Sequence, residues 1–345
     1  MNFPCSLVQA ARLKELKKDL VIEERETPTP GPGELLLEQD TTGICYRDLL
    51  TRDGFLPRVR LPITPGHEIS GRIISIGEGV TDFNVGERVT SLIYAPCGKC
   101  EYCVSGRENL CASKKIYGED LEGGYSRYVV IKEESAVRVP QGVGEEEAAI
   151  AACVTGMLYH ALKVEGKLSP GEKVLVTGAG GGIGTHAIQI AKVLGAEVIA
   201  ETSSSEKTDL LHELGADHVV MMSDKLDQEV KQITGDGVHL VMENVGIHTF
   251  PRSLRSLRTG GRMVVVGNVV PEPVPLPLGL IILKGNSIMG SMSSTRNDVA
   301  AALDLSRNGK IHAVSDGRID LAGVNSAFEK IAGKRNRGRV FLRLP

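Results

Sequence analysis

The chain has 345 residues, of which 41% are hydrophobic and 24% charged, with 40 basic against 43 acidic side chains. At about 100 to 200 residues per domain this length predicts two domains, each with its own core. The composition excludes wholesale disorder, a collagen and a disulfide miniprotein, and a formal charge of −3 argues against a dedicated nucleic-acid or membrane-surface binder, which needs a basic excess.

The opening stretch MNFPCSLVQAARLKELKKD has no apolar signal core, which predicts a cytoplasmic protein. No span is expected either. The uncharged stretch from Ala148 to Leu162 is shorter than the roughly 18 to 20 residues a spanning helix needs, and four prolines break Val269 to Leu283. Short apolar runs cut by Gly and Pro, such as TPTPGPGELLLEQ, SGRIISIGEGV and VGERVTSLI, make the first half an irregular all-β domain. From about Ala148 strands and helical windows alternate: KVLVTGAG, THAIQIAKVLGA, AEVIAET, SEKTDLLHELGA, DHVVMM, VHLVMENVG and RMVVVGNVV. That alternation predicts an α/β domain with a doubly wound parallel sheet. From Ser293 to Pro345 there is one helical window, near Asn297 to Asn308, and a final strand, GRVFLRL.

Four of the seven cysteines fall within fifteen positions, which points to metal rather than disulfides and to a reducing compartment. Cys97, Cys100, Cys103 and Cys111 form C-x2-C-x2-C-x7-C. Four thiolates close a tetrahedral sphere and leave no place for water, so the expected ion is structural zinc. An iron–sulfur cluster also takes four cysteines, but the rest of the chain offers it no redox partner.

After the strand Lys173 to Thr177 comes GAGGGIG, then a helical window from Thr185 to Leu194. Unpaired N–H groups at a helix start, the helix dipole and the lack of side chains suit such a turn to a pyrophosphate. The glycines fall at Gly178, Gly181 and Gly184, with Gly180 and Gly182 in addition, so strict GxGxxG spacing fails by one residue. A glycine turn that only allows close helix packing is the bland alternative; the strand before and the helix after favour dinucleotide binding. At the end of the next strand stand Thr202, Ser203, Ser204 and Ser205, followed by Lys207. Hydroxyls and a cation accept a 2′-phosphate, so NADP(H) is expected over NAD(H), although Ser203 to Ser205 also read as a helix N-cap. Glu201 is the residue that a one-position register shift would return to the ribose.

The remaining cysteines are Cys5, Cys45 and Cys153, the last two in GICYRD and AACVTG, and GHE spans Gly66 to Glu68. Two thiolates, one imidazole and an open fourth position make a catalytic zinc site, though spacing alone does not join residues so far apart.

These motifs, in this order and spacing along essentially the whole chain, resemble the zinc-containing medium-chain dehydrogenase/reductase family, the alcohol dehydrogenases. The resemblance implies a GroES-like β-barrel catalytic domain over 1–152 with the zinc lobe at 95–113. It further implies a Rossmann domain over 153–292, and a segment, 293–345, that completes the first domain. It implies a catalytic zinc on Cys45, His67 and Cys153 with Glu68 beside it, and Asp48 orienting the histidine. Thr155 is expected near the nicotinamide. Contacts to the cofactor are expected from Gly178, Gly181, Gly182, Ile183, Gly184, Thr202, Ser203, Ser204, Lys207, Val245, Gly267 and Asn268. Cys5 matches nothing, and His160, His186, His212 and His248 read as ordinary residues. A homodimer or homotetramer follows if the apolar IILKGNSIMGSM segment is an edge strand that pairs between subunits.

The chain departs from the alcohol-oxidising pattern at two places. Where the family begins its proton relay with Ser or Thr it has Arg47, and where a histidine often continues the relay it has Leu50. A guanidinium stays protonated and cannot relay, but suits a substrate that is anionic or develops an enolate; Tyr46 is the alternative hydroxyl. CYRDLLTRDGF, CVTGMLYHAL and GNVVPEPVPLPLGLIILKG are similar to archaeal acryloyl-CoA reductases, a branch that reduces an activated C=C bond with NADPH. The expected function is a zinc-dependent, NADP(H)-linked alcohol dehydrogenase or carbonyl reductase. The alternatives are an enoyl-thioester reductase of that branch and a non-catalytic nucleotide-binding protein. The partner is a small carbonyl, alcohol or acyl-CoA, with no nucleic acid and no membrane.

Overall fold

The computed structural model describes residues 7–270 and 272–345, so Cys5 lies outside the described residues. The chain forms two compact units. One runs up to Gly156 and also takes Ser293–Gly309 and Ser315–Pro345; the other comprises Met157–Met292 and Lys310–Val314.

The first unit is built on an antiparallel five-stranded sheet in the order Ala136–Arg138, Arg88–Ser91, Ser70–Ile76, Glu34–Glu38 and Tyr128–Lys132. In Tyr128–Lys132 alternate residues point to opposite faces, so Val129 and Ile131 are buried between half-buried neighbours. They pack with Leu35, Leu37, Ile69, Ile73 and Val89. A three-stranded sheet sets Arg339–Arg343 antiparallel to Thr41–Ile44 and parallel to Ser315–Asp320, with Val340 opposite Ile44. Chain end and early chain are thereby stitched together. The helix Val324–Ala332 reinforces the seam with a buried stripe of Val324, Ala327, Phe328 and Ile331, spaced three and four apart as one helix face requires.

The second unit holds six parallel strands in the spatial order His218–Met221, Glu197–Thr202, Lys173–Val176, Val238–Glu243, Leu257–Val265 and Ser287–Gly290. Counted from Lys173–Val176 this is 3-2-1-4-5-6, the Rossmann order, whose ligand crevice opens where the order reverses, beyond the carboxyl ends of the strands. With helices against a parallel sheet the central strands are buried on both faces, hence the unbroken apolar runs in KVLV and HLVM. Lys310–Val314 is bonded to the helix Gly184–Val193 of this unit. Gln189 donates to the His312 carbonyl and accepts from its N–H, and His186 Nε2 accepts the N–H of Val314 at 3.0 Å. No described helix is long and apolar enough to cross a membrane.

Candidate active site

The strand Thr41–Ile44 delivers Cys45 to the N-cap of the helix Tyr46–Arg52. Three residues on, Asp48 turns back in a capping interaction, its Oδ2 accepting the Cys45 N–H at 2.9 Å and the Tyr125 hydroxyl at 2.7 Å. Its other oxygen accepts from His67 Nδ1 at 3.0 Å. With Nδ1 so engaged, His67 points Nε2 toward Cys153, 3.2 Å from its Sγ. Gly66 makes this approach possible: its φ is +94°, and a Cβ there would lie 2.4 Å from the Tyr125 ring.

Cys153 sits on a widened helical turn in which the Thr155 N–H bonds to the carbonyl of Ile150, five residues back. Its sulfur lies 3.9 Å from that of Cys45. Sulfurs at about 2.3 Å from a tetrahedral ion are separated by about 3.8 Å, so the two thiols are spaced for one zinc. Ligand atoms of Cys45, His67, Glu68 and Cys153 all fall within 4.8 Å of one another. The hydrogen bond from Cys153 keeps the Cys45 thiol well below its ordinary pKa despite burial. Burial would depress His67, but the charges of Asp48 and Cys45 outweigh it and push its pKa up to about 10.

Glu68 is fully buried and ion-paired to Arg339, whose Nε donates to Oε2 at 3.0 Å. Gly43 leaves room for that carboxylate, since a Cβ would fall 1.7 Å from it. Arg339 Nη2 also lies 3.9 Å from Cys153 Sγ. Arg47 is clamped likewise, Nε donating at 2.6 Å to the buried carboxylate of Glu119. Burial works against its charge, but Glu119 and the two thiols more than offset this and raise its pKa. Leu50 is half-buried, and Tyr46 packs against the core that contains Leu13 and Phe328. Arg339, Tyr125 and Glu119 escaped the sequence reading, because each reaches the site through pairings distant along the chain.

In the lobe, the four sulfurs of Cys97, Cys100, Cys103 and Cys111 lie within 4.8 Å of one another. Cys97 to Cys103 is 3.9 Å and Cys100 to Cys103 is 3.5 Å, again the spacing of thiolates about one ion. The N–H groups of Lys99 and Cys100 hold the Cys97 pKa down to about 6. Glu108 anchors the lobe by accepting the N–H of Arg296 at 2.7 Å.

In the second unit, Gly178 follows the strand Lys173–Val176 by two positions with φ +57°. A Cβ on Gly184 would fall 2.4 Å from Ala179 Cα, so only glycine lets the helix Gly184–Val193 start this close to the turn, with Gly181, Gly182 and Ile183 between. Glu201 points inward, buried, its Oε2 accepting the Gly178 N–H at 3.1 Å, and burial raises its pKa. Thr202 therefore ends the strand, and its hydroxyl accepts the Ser204 N–H at 3.2 Å. Lys207 donates to the Gly180 carbonyl at 3.1 Å, and Ser203 is exposed. Val245, Gly267 and Asn268 gather beyond the neighbouring strands: Val245 would touch a Cβ on Gly178, and Asn268 one on Gly246. Glu243 holds that loop, accepting from Val245 N, Gly246 N and the hydroxyls of Thr177 and Thr249. Thr155 belongs to the first unit, where it is buried.

A GroES-like unit and a Rossmann unit in one chain define an oxidoreductase of the medium-chain dehydrogenase/reductase type. Residues 31–141 match the alcohol dehydrogenase GroES-like domain and 182–308 the zinc-binding dehydrogenase domain. The chain belongs to the zinc-binding alcohol dehydrogenase family. It is 43% identical to acryloyl-coenzyme A reductase of Sulfurisphaera tokodaii, over 95% of this chain and 97% of that one. It is 37% identical to an alcohol dehydrogenase of Geobacillus stearothermophilus, over 98% and 100%. The solved structure of AibC superposes with a TM-score of 0.94 at 36% identity, covering 99% of this chain and 97% of that one.

Proposed function

We propose that the protein reduces a carbon–carbon double bond activated by a thioester, using NADPH, with zinc at Cys45, His67 and Cys153. The observation that carries this reading is Arg47, held by buried Glu119 where an alcohol-oxidising relative starts its proton relay. When bound, zinc would supply Lewis acidity toward the thioester carbonyl oxygen and NADPH the hydride for the β-carbon, the α-carbon taking its proton from solvent. Asp48 keeps His67 in the tautomer that offers Nε2 to the metal, and the Glu68–Arg339 pair sets a balanced charge beside it. The Arg47 nitrogens not spent on Glu119 are permanent donors for the negative charge that grows on the thioester oxygen as an enolate forms. Leu50 offers no proton acceptor at the position where the family's alcohol relay often continues. The 43% identity to an acryloyl-coenzyme A reductase over nearly the whole chain supports the same substrate class. The second reading, an alcohol dehydrogenase or carbonyl reductase, draws on the Cys45, His67, Glu68 and Cys153 cluster and on the 37% identical relative.

For the cofactor, Thr202, Ser203, Ser204 and Lys207 offer hydroxyls and a cation for a 2′-phosphate, and Glu201 is turned inward onto the Gly178 N–H. Thr202→Asp should raise KM for NADPH by about tenfold or more while sparing NADH, because like charges meet. A wild type that uses NADPH and NADH equally would defeat this assignment. The strand Ser287–Gly290 ends the parallel sheet, beside a helix whose Leu278, Ile282 and Leu283 are exposed, and we read this edge as the homodimer contact. The test of the reaction is direct: acryloyl-CoA should drive NADPH consumption much faster than simple aldehydes do. Turnover of aldehydes and alcohols without turnover of the thioester would reverse the choice.

A further inference from the structure

Near the candidate site the first unit gathers cations that, among the described residues, no carboxylate ion pair neutralises. Glu119, the partner of Arg47, also accepts the backbone N–H of Arg60 through its carbonyl at 3.0 Å, which ties the loop carrying Arg58 and Arg60 to the segment 114–119. Arg58 is fastened to the same segment, Nη1 donating to the Lys114 carbonyl at 3.2 Å. Arg58, Arg60 and Lys115 are exposed, and Lys114 adds a fourth cation, its ammonium bonded to the carbonyl of Asn109 at 2.7 Å. The carboxylates alongside are already engaged: Glu119 on Arg47, and Asp120 on the N–H of Ile116 at 2.9 Å. Among the described residues, none of these four cations has a carboxylate in ion-pair range. Lys114 also faces the charge of Cys111 in the lobe, so the exposed positive charge of this surface is carried chiefly by Arg58, Arg60 and Lys115.

We propose that Arg58, Arg60, Lys114 and Lys115 form the docking surface for the phosphates of the substrate's coenzyme A tail. The inference rests on the thioester reading above and extends it to the far end of the substrate. A coenzyme A thioester carries its reactive acyl group on a long uncharged pantetheine arm and its charge at the other end, as a diphosphate and a 3′-phosphate. Such a ligand needs two separate features: a neutralised reaction site and an exposed basic surface joined to it. Glu119 joins them, holding Arg47 with its side chain and the Arg60 loop with its backbone. Planar guanidiniums that keep their charge at any working pH suit phosphate oxygens. The surface recognises charge and not the acyl group, so it governs affinity and leaves the bond-making step to the residues around Cys45.

The test compares acryloyl-CoA with acryloyl-pantetheine, which keeps the thioester and lacks every phosphate. In the wild type kcat/KM should favour the coenzyme A ester, and added potassium chloride should erode that advantage because rim charges are screened. The double variant Arg58→Glu/Arg60→Glu should lower the ratio of the two kcat/KM values by about tenfold or more, through KM for the coenzyme A ester rather than kcat. A purely structural effect of the substitutions would move both substrates together and leave the ratio alone. Equal use of the two thioesters by the wild type, or an unchanged ratio in the variant, overturns the docking surface while the reductase reading stands. Turnover of neither thioester removes that reading and the surface with it.

Discussion

Cys153→Ser is expected to give a folded protein that binds NADPH, carries one zinc fewer per chain than the wild type, and reduces its substrate at least about a thousandfold more slowly. Cys153 is the residue that both other ligands face, with Nε2 of His67 at 3.2 Å and Sγ of Cys45 at 3.9 Å, so its loss opens the site from the middle. Serine keeps the volume but not the soft thiolate that zinc prefers. Cys111→Ser is the control, since it too should remove one zinc. Its cost is expected in stability, several degrees in melting temperature, because the four sulfurs brace a loop that has little apolar packing of its own. Metal analysis beside NADPH turnover separates the two variants. Full activity in a protein with one zinc per chain, or two zincs retained by Cys153→Ser, would refute the Lewis-acid account.

What could be read from the sequence was whatever depends on neighbours along the chain. The four lobe cysteines close over a few turns, and the glycine turn announces itself between a strand and a helix. The parallel sheet shows in its unbroken apolar strands. Register within those strands was not legible, because burial on both faces erases the alternation that would reveal it. Which way Glu201 points shows only in its bond to Gly178 N, not in the strand's apolar pattern. Arg339 stood out as nothing in GRVFLRL; only the pairing of Val340 with Ile44 brings it beside Glu68, 271 positions away. The edges of the compact units are set by similarly local contacts. The first unit runs to Gly156, through the widened turn around Cys153, and Gln189 and His186 hold Lys310–Val314 in the second.

Arg47 allows the sharpest functional test, provided its partner is treated with it. Arg47→Ser alone would leave Glu119 as a buried carboxylate without a counter-charge, a defect of about 3 to 5 kcal/mol that could be mistaken for a catalytic loss. Arg47→Ser/Glu119→Gln removes both charges together. That variant should keep its melting temperature within a few degrees and lose about a hundredfold or more in kcat/KM for acryloyl-CoA, the size expected when one donor to a developing oxyanion is deleted. Most of the loss should fall on kcat, since the donor matters most as the enolate forms. Alcohol oxidation should not appear in this double variant: the new serine starts a relay that Leu50 still interrupts. Adding Leu50→His supplies the next acceptor, and the triple variant should oxidise alcohols faster than the wild type does. If the double variant reduces the thioester within about twofold of the wild-type rate, a difference worth only about 0.4 kcal/mol, then Arg47 does not touch the reacting oxygen. Its clamp on Glu119 would then serve the architecture of the loop and not the chemistry.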